Sequence, residues 1–341
     1  MRATEAFRDG GRRVNGAPVL LAGLFALTLA VGLPLSWLIR DMLATHLGSS
    51  LAAAPAASGI NYEWWQEFVA QASGLGRTFA PSMSGFGAVL DNLQGVADDL
   101  PLVSALAVVT AVWLIVWSFL SGGILDRLAR GRKTRSHGFF AACGGHFWRL
   151  LRLGLIAWAA YAFLFGYVHG WVFTSALGRL TRDVTVERSA FLLRGLGYLV
   201  FGALVVACNI AFDYARIRLV VEDRRSAVGA LLAGLRFLRR HRLVVLGLYA
   251  LNAVAFLLLV ALYGVAAPGA PRQRWSLVLV LAIGELYILG RLYLKLLFYA
   301  SETALFQGEL AHAAYTAAPA VLWPDSPAAE SIANAEPQPW S

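Results

Sequence analysis

Six apolar stretches constrain this chain more than any other feature of its sequence. They cover residues 17–39, 102–125, 151–173, 191–212, 243–267 and 276–299. A helix of about 20 apolar residues crosses a hydrocarbon core about 30 Å thick, because each residue adds about 1.5 Å. Every stretch reaches that length. The sequence therefore predicts an all-α, polytopic bundle of about six transmembrane helices.

The low proportion of charged residues supports the same conclusion. Only 14% of the residues are charged and 58% are hydrophobic, whereas a soluble domain carries about 25% charged residues. The net charge of +9 would suggest nucleic-acid binding in a soluble protein. Here the Lys and Arg residues lie in short segments between apolar stretches, where they determine topology. Nucleic acid is therefore not an expected partner.

The distribution of Lys and Arg predicts the orientation. Residues 1–16, 126–150 and 213–242 carry four, six and eight of them, whereas the opposite segments 40–101, 174–190 and 268–275 carry two, three and two. Basic residues favour the cytoplasmic side. Both termini are therefore predicted to be cytoplasmic. The Ala, Arg and Gly bias further suggests the inner membrane of a bacterium with a GC-rich genome.

The pattern divides the chain into five parts. Residues 1–16 form a cytoplasmic N-terminus, 17–39 the first span, 40–101 an extracytoplasmic segment, 102–315 a five-span bundle and 316–341 a disordered cytoplasmic tail. Residues 61–71 and 84–97 show helical amphipathic spacing in the outer segment. They are expected to cap the bundle or lie on the outer leaflet, and a vestibule that collects a ligand is the alternative.

Two cytoplasmic segments predict interfacial amphipathic helices. In residues 226–242 an apolar stripe faces the inner leaflet, while Arg236, Arg239 and Arg240 face anionic lipid headgroups. The segment that begins at Arg127 and the segment that begins at Arg218 share one layout: the end of a span is followed by a basic turn, an amphipathic helix and the next span. This shared layout predicts a parallel internal repeat. Since few letters match, chance similarity is the competing interpretation.

Four polar residues within the spans are candidate binding residues, because polar groups in hydrocarbon are costly. Glu285 and Asn252 each lie near the middle of a span, and the two spans form a hairpin. They are expected to pair at mid-membrane, as a structural hydrogen bond or as part of a polar cavity. Asn209 and Asp213 lie one turn apart, with Asp213 expected near Arg291 or Lys295 unless these cations extend to the headgroups.

The sequence contains no catalytic motif of the common hydrolase, metalloprotease or nucleotide-binding types. No catalytic residue, metal ligand or cofactor is therefore predicted. The two cysteines, Cys143 and Cys208, do not have metal-ligand spacing.

Two segments carry a family resemblance. GGILDRLARGRKTRSHGFFAACGGHFWRLLRLG (122–154) and DYARIRLVVEDRRSAVGALLAGLRFLRRH (213–241) resemble a recurrent pattern in uncharacterised bacterial polytopic membrane proteins. A looser likeness is to the membrane domain fused to some glycerophosphodiester phosphodiesterases. The resemblance implies an architecture and no activity, because the catalytic domain of those fused proteins has no counterpart here.

Three functions fit these features. The leading hypothesis is a non-enzymatic inner-membrane component, accessory or permease-like, that handles or organises lipid or a small solute. Its expected partners are membrane lipids, above all anionic inner-leaflet lipids. An intramembrane lipid-modifying enzyme would need polar groups converging on Glu285 or Asp213. An envelope sensor would use the Trp-rich outer segment.

Overall fold

The computed structural model describes residues 1–48, 50–53, 55, 61–79, 86–99, 104–131, 134–267 and 274–312. Within these ranges there are helices and no strands. The α-helices are α1 (Ala3–Asn15), α2 (Pro18–Leu47), α3 (Tyr62–Gln71), α4 (Phe86–Ala97), α5 (Ser104–Arg130), α6 (Ser136–Phe163), α7 (Leu177–Thr181), α8 (Glu187–Val221), α9 (Ala227–Ala266) and α10 (Arg274–His312). Two π-helical stretches, Leu164–His169 and Trp171–Ala176, lead from α6 into α7.

Six helices among the described residues are long and apolar enough to cross a membrane. They are Pro18–Leu47, Leu106–Arg130, Ser136–Thr181, Glu187–Val221, Ala227–Ala266 and Ser276–Leu310. The predicted all-α fold with six membrane-spanning helices is thus confirmed, and the chain is a multi-pass membrane protein. The side on which the termini lie and the internal repeat remain predictions. The tail 316–341 lies outside the described residues.

The packed core lies at one end of the bundle, which we call the basic end. There the C-terminal parts of α5, α8 and α10 meet the N-terminal parts of α6 and α9. Seven consecutive residues of α10 (300–306) are each at most 2% exposed. A helix is buried on every side only when neighbours surround it, and α1, α5, α8 and α9 pack around α10. The core thus extends beyond the sixth predicted span, which ended at residue 299.

Helix α1 is part of this core, although the sequence predicted no packed element in residues 1–16. Ala6 and Val14 are buried. A Cβ added to Gly10 would lie 2.7 Å from the Ser301 backbone, so the two helices are in direct contact there. Arg13 Nη1 donates to the Leu128 carbonyl at 3.1 Å. These contacts fix α1 against α5 and α10.

The amphipathic segment 226–242 also packs against protein. Ser226 caps it, because its side chain accepts a hydrogen bond from the Gly229 amide. Phe237 is buried against α8 and α10, while Val228 and Leu232 are exposed. The chain then bends at His241, where φ is −114° and ψ is 25°. Of the apolar side of segment 226–242 that was predicted to face the membrane, only the strip with Val228 and Leu232 is therefore free to contact lipid.

Part of the outer segment, residues 61–79, forms a small separate cluster with the end of α2. Asn61 caps α3, since its side chain accepts a hydrogen bond from the Trp64 amide. Trp64 and Phe68 are buried against the end of α2, where Trp64 Nε1 and His46 Nδ1 lie 3.1 Å apart. The helices α3 and α4 lie where the amphipathic pattern places them. Their relation to the membrane surface remains a prediction.

Candidate functional site

Asp213 and Asn209 lie together on one face of α8, as their spacing of one turn predicts. Asp213 is 6% exposed. Its Oδ2 accepts from Asn209 Nδ2 at 3.0 Å, and its Oδ1 accepts from Arg216 Nη1 at 3.0 Å. The sequence left open whether Lys295 or Arg291 lies near Asp213 or whether these cations extend to the headgroups. The ion pair of Asp213 forms instead with Arg216, because residues three apart on a helix are neighbours.

Asn209 connects α8 to two other helices. Its Nδ2 also donates to the Tyr249 hydroxyl at 2.9 Å, and its Oδ1 accepts from the Tyr161 hydroxyl at 3.2 Å. These three residues belong to α8, α9 and α6. The amide therefore joins three helices of the bundle.

Tyr299 connects α8 to α5 and α10. Its hydroxyl accepts from Arg216 Nη1 at 3.3 Å and from Trp117 Nε1 at 3.1 Å. The Lys295 amine lies 3.4 Å from the centre of the Trp117 ring, a cation–π contact. Arg291 lies over Tyr287 at 5.8 Å. We call the connected residues the polar network: Trp117, Tyr161, Asn209, Asp213, Arg216, Tyr249 and Tyr299.

The predicted pair of Asn252 and Glu285 does not form. Asn252 Nδ2 donates to Ser301 Oγ at 3.0 Å. Among the described residues, neither Asn252 Oδ1 nor Glu285 Oε2 has a hydrogen-bond partner, although both atoms are buried. Glu285 precedes Ser301 by 16 residues, about 24 Å along a helix. The predicted pair is wrong because it assumed that residues at equal distances from the ends of the two spans lie side by side. The actual register of α9 against α10 is different.

That register is visible at a second contact. The Tyr263 and Tyr287 rings stack with centroids 4.1 Å apart. Glu285 therefore lies near the C-terminal part of α9, far from the basic end, while Asn252 lies in the core at the basic end. Whether either residue binds a ligand remains a prediction.

A cavity of about 450 Å³ opens at the basic end, between α8, the first half of α9 and α10. We call it the basic cavity. Its lining includes four arginines, one histidine and one glutamate: Arg218, Arg224, Gly229, Ala233, Arg236, Phe237, Arg240, His241, Phe306, Glu309 and Leu310. None of the residues of the polar network is among them. The two polar features of the basic end are therefore separate.

Part of the charge around this cavity is neutralised by carboxylates. Arg218 and Arg224 both donate to Glu222 Oε2, at 2.8 and 2.7 Å. Glu309 pairs with His241 Nδ1 at 3.2 Å, and its other oxygen accepts from the amino group of Met1 at 2.7 Å. Both carboxylates next to the cavity are thus already engaged.

The arginines predicted to face lipid headgroups divide into two groups. Arg236 and Arg240 line the cavity, one helical turn apart. Arg239 lies instead on the face of Val228 and Leu232, because positions 228, 232 and 239 recur at helical spacing. Among the described residues, no carboxylate lies within ion-pairing distance of any of the three arginines. Their headgroup contact remains a prediction.

Several residues of these sites were missed by sequence reasoning. Arg216 could have been found from its i, i+3 spacing to Asp213. Trp117 and Tyr299 could not, because their meeting depends on how α5 and α10 pack. Glu302 was also missed: it is 2% exposed, and its Oε2 has no hydrogen-bond partner among the described residues.

The described residues contain no group of three or more His, Cys, Asp or Glu side chains that could hold a metal ion. No family model matches the chain, and no curated protein or solved structure matches it significantly. The family resemblance of the segments 122–154 and 213–241 therefore remains a prediction.

Proposed function

We propose that the protein is a non-enzymatic component of the bacterial inner membrane that organises or handles anionic lipid. The basic cavity is the observation that supports the proposal. Basic pockets between transmembrane helices on the cytoplasmic side are typical sites for anionic headgroups. This cavity has the charge, and a volume within the range of small-molecule sites, about 300–1,000 Å³.

The depth of the cavity suits a headgroup. Arg236 and Arg240 lie five residues and one residue before the bend at His241, and the apolar span begins at residue 243. Leu243 is 79% exposed, as expected for a side chain that faces acyl chains. The arginines would therefore lie at the level where hydrocarbon gives way to headgroups.

The enzyme alternative rests on the polar network. An intramembrane enzyme would need polar groups that converge on Glu285 or Asp213, and the side chains around Asp213 do converge in this way. However, both Asp213 oxygens accept hydrogen bonds within the network. Asp213 is also only 6% exposed, so a substrate would have little access to the remaining lone pairs that a general base or nucleophile needs. This arrangement favours a network that holds the helices together.

The sensor alternative rests on the outer segment. Its aromatic side chains are used within the cluster itself: Trp64 and Phe68 are buried, and Trp65 Nε1 donates to the Phe79 carbonyl at 2.8 Å. Tyr62 is 58% exposed, but the two tryptophans of this segment are engaged within the cluster, which leaves a limited aromatic surface for a ligand.

Lipid association of the purified full chain tests the proposal. The protein is extracted from a bacterial membrane in mild detergent, and the bound phospholipids are identified by mass spectrometry. We expect phosphatidylglycerol or another anionic lipid to be enriched over the bulk membrane. An unrelated six-span protein purified in parallel is the control. Bound lipid of bulk composition would refute the proposal, and a lipid product formed during incubation would favour the enzyme.

A further inference from the structure

We infer that the basic cavity binds the phosphate group of an anionic phospholipid between Arg236 and Arg240. The inference rests on the proposed function and adds the chemical group and the residues that bind it. The ligand is a phosphodiester headgroup whose acyl chains stay in the bilayer.

The balance of charge selects an anion. Arg218 and Arg224 share Glu222, whose side chain is 1% exposed. Glu309 is paired with His241. Arg236 makes only a 3.5 Å contact, from Nε to the carbonyl of Leu232, and Arg240 has no ion-pair partner among the described residues. The cavity therefore presents two cations whose charge is not offset by any carboxylate in the part of the chain that the structure describes.

The spacing of the two arginines suits one phosphate. Residues four apart on a helix have their Cβ atoms about 6 Å apart, so two long side chains can converge on a single group. Each guanidinium offers paired N–H donors that match two phosphate oxygens. Gly229 and Ala233 lie on the same strip of α9. Their small side chains leave the space in front of the arginines open.

The floor of the cavity is rigid. The Phe237 ring stacks on His241 with centroids 4.7 Å apart and meets Phe306 edge-on at 5.2 Å. The Arg218 guanidinium lies 5.8 Å from the Phe306 ring centre. Since Phe237 and Phe306 are buried in the core, the cavity does not depend on a ligand to hold it open. A preformed site loses less entropy on binding.

A lipid fits better than free phosphate because apolar surface adjoins the arginines. Val228 and Leu232 are 55% and 54% exposed, on the face of α9 next to the strip that lines the cavity. Burying such side chains against acyl chains is favourable by about 25 cal/mol per Å². A headgroup in the cavity would place its chains along this face.

Binding to the full chain in detergent micelles tests the inference. The probes are phosphatidylglycerol, zwitterionic phosphatidylcholine and soluble glycerol phosphate, each measured by native mass spectrometry. The variants are Arg236→Gln, Arg240→Gln and Arg240→Lys, and Arg239→Gln is the matched control on the same helix. We expect about a tenfold loss of phosphatidylglycerol affinity for each Gln variant at the cavity, the loss of one charged hydrogen-bonding group. Arg239→Gln should lose less than about twofold, and Arg240→Lys should fall between.

The outcomes separate the inference from the proposed function. If wild-type protein binds both lipids equally, the proposed function fails. If it prefers phosphatidylglycerol but Arg239→Gln weakens binding as much as Arg240→Gln, general surface charge accounts for the preference and the cavity site is refuted. Competition by glycerol phosphate at the concentration of the lipid would refute the lipid as ligand. The variants change exposed side chains, so equal elution and unfolding profiles are expected.

Discussion

The contact between α1 and α10 can be tested with a single methyl group. A Cβ added to Gly10 would lie 2.7 Å from both the Cα and the backbone nitrogen of Ser301. Non-bonded carbon atoms normally lie about 3.5–4.0 Å apart. Because the Ser301 atoms are backbone, no change of rotamer relieves the clash. Gly10→Ala should push α1 away from α10 by about 1 Å.

The neighbouring Gly11 provides a matched control, since a Cβ there meets nothing within 4 Å. Both substitutions replace helical Gly by Ala, which favours the helix by up to about 1 kcal/mol. Overpacking costs about 1–3 kcal/mol. Gly11→Ala should therefore stabilise the protein by up to about 1 kcal/mol, and Gly10→Ala should lie about 1–3 kcal/mol below it. The propensity gain cancels in this difference, which isolates the clash.

The free energy of unfolding can be measured for both variants by titrating the purified protein with a denaturing detergent in mixed micelles. Movement of α1 would also weaken the hydrogen bonds from Arg13 to Leu128 and Gln307. Equal stability of the Gly10→Ala and Gly11→Ala proteins would refute the packing of α1 on α10.

Two further predictions concern the network and the topology. Tyr299→Phe removes the hydroxyl that accepts from the Trp117 indole, so it should lower the free energy of unfolding by about 1–3 kcal/mol. The control is Tyr287→Phe, which should change the free energy of unfolding little because the Tyr287 hydroxyl has no hydrogen-bond partner among the described residues. Equal effects of the two variants would contradict the network. Cysteines at Gln71 and Arg225 should react with an impermeant maleimide from opposite sides of the membrane, with Arg225 on the cytoplasmic side. Labelling of both from one side would contradict the predicted topology.

The sequence by itself determined the fold class and the number of spans. Both follow from local properties, since the length of an apolar stretch and the helical period are features of a single segment. The adjacency of Asn209 and Asp213 is local in the same sense, because one turn of helix places them together. The sequence also predicted that residues 226–242, which contribute to the basic cavity, form a basic amphipathic helix, because charge and helical spacing are local properties too.

The tertiary structure decided which helices meet and at what height. Asn252 pairs with Ser301 rather than Glu285 because the register of α9 against α10 is set by side-chain packing along both helices, and apolar periodicity is nearly unchanged when one helix slides past the other. The basic cavity depends on the same packing. It takes its lining from α8, α9 and α10 and from Arg224 in the turn between α8 and α9. Helical spacing alone separates Arg239 from Arg236 and Arg240. Only the packing of α8 and α10 beside α9 turns the strip that carries Arg236 and Arg240 into the wall of a cavity.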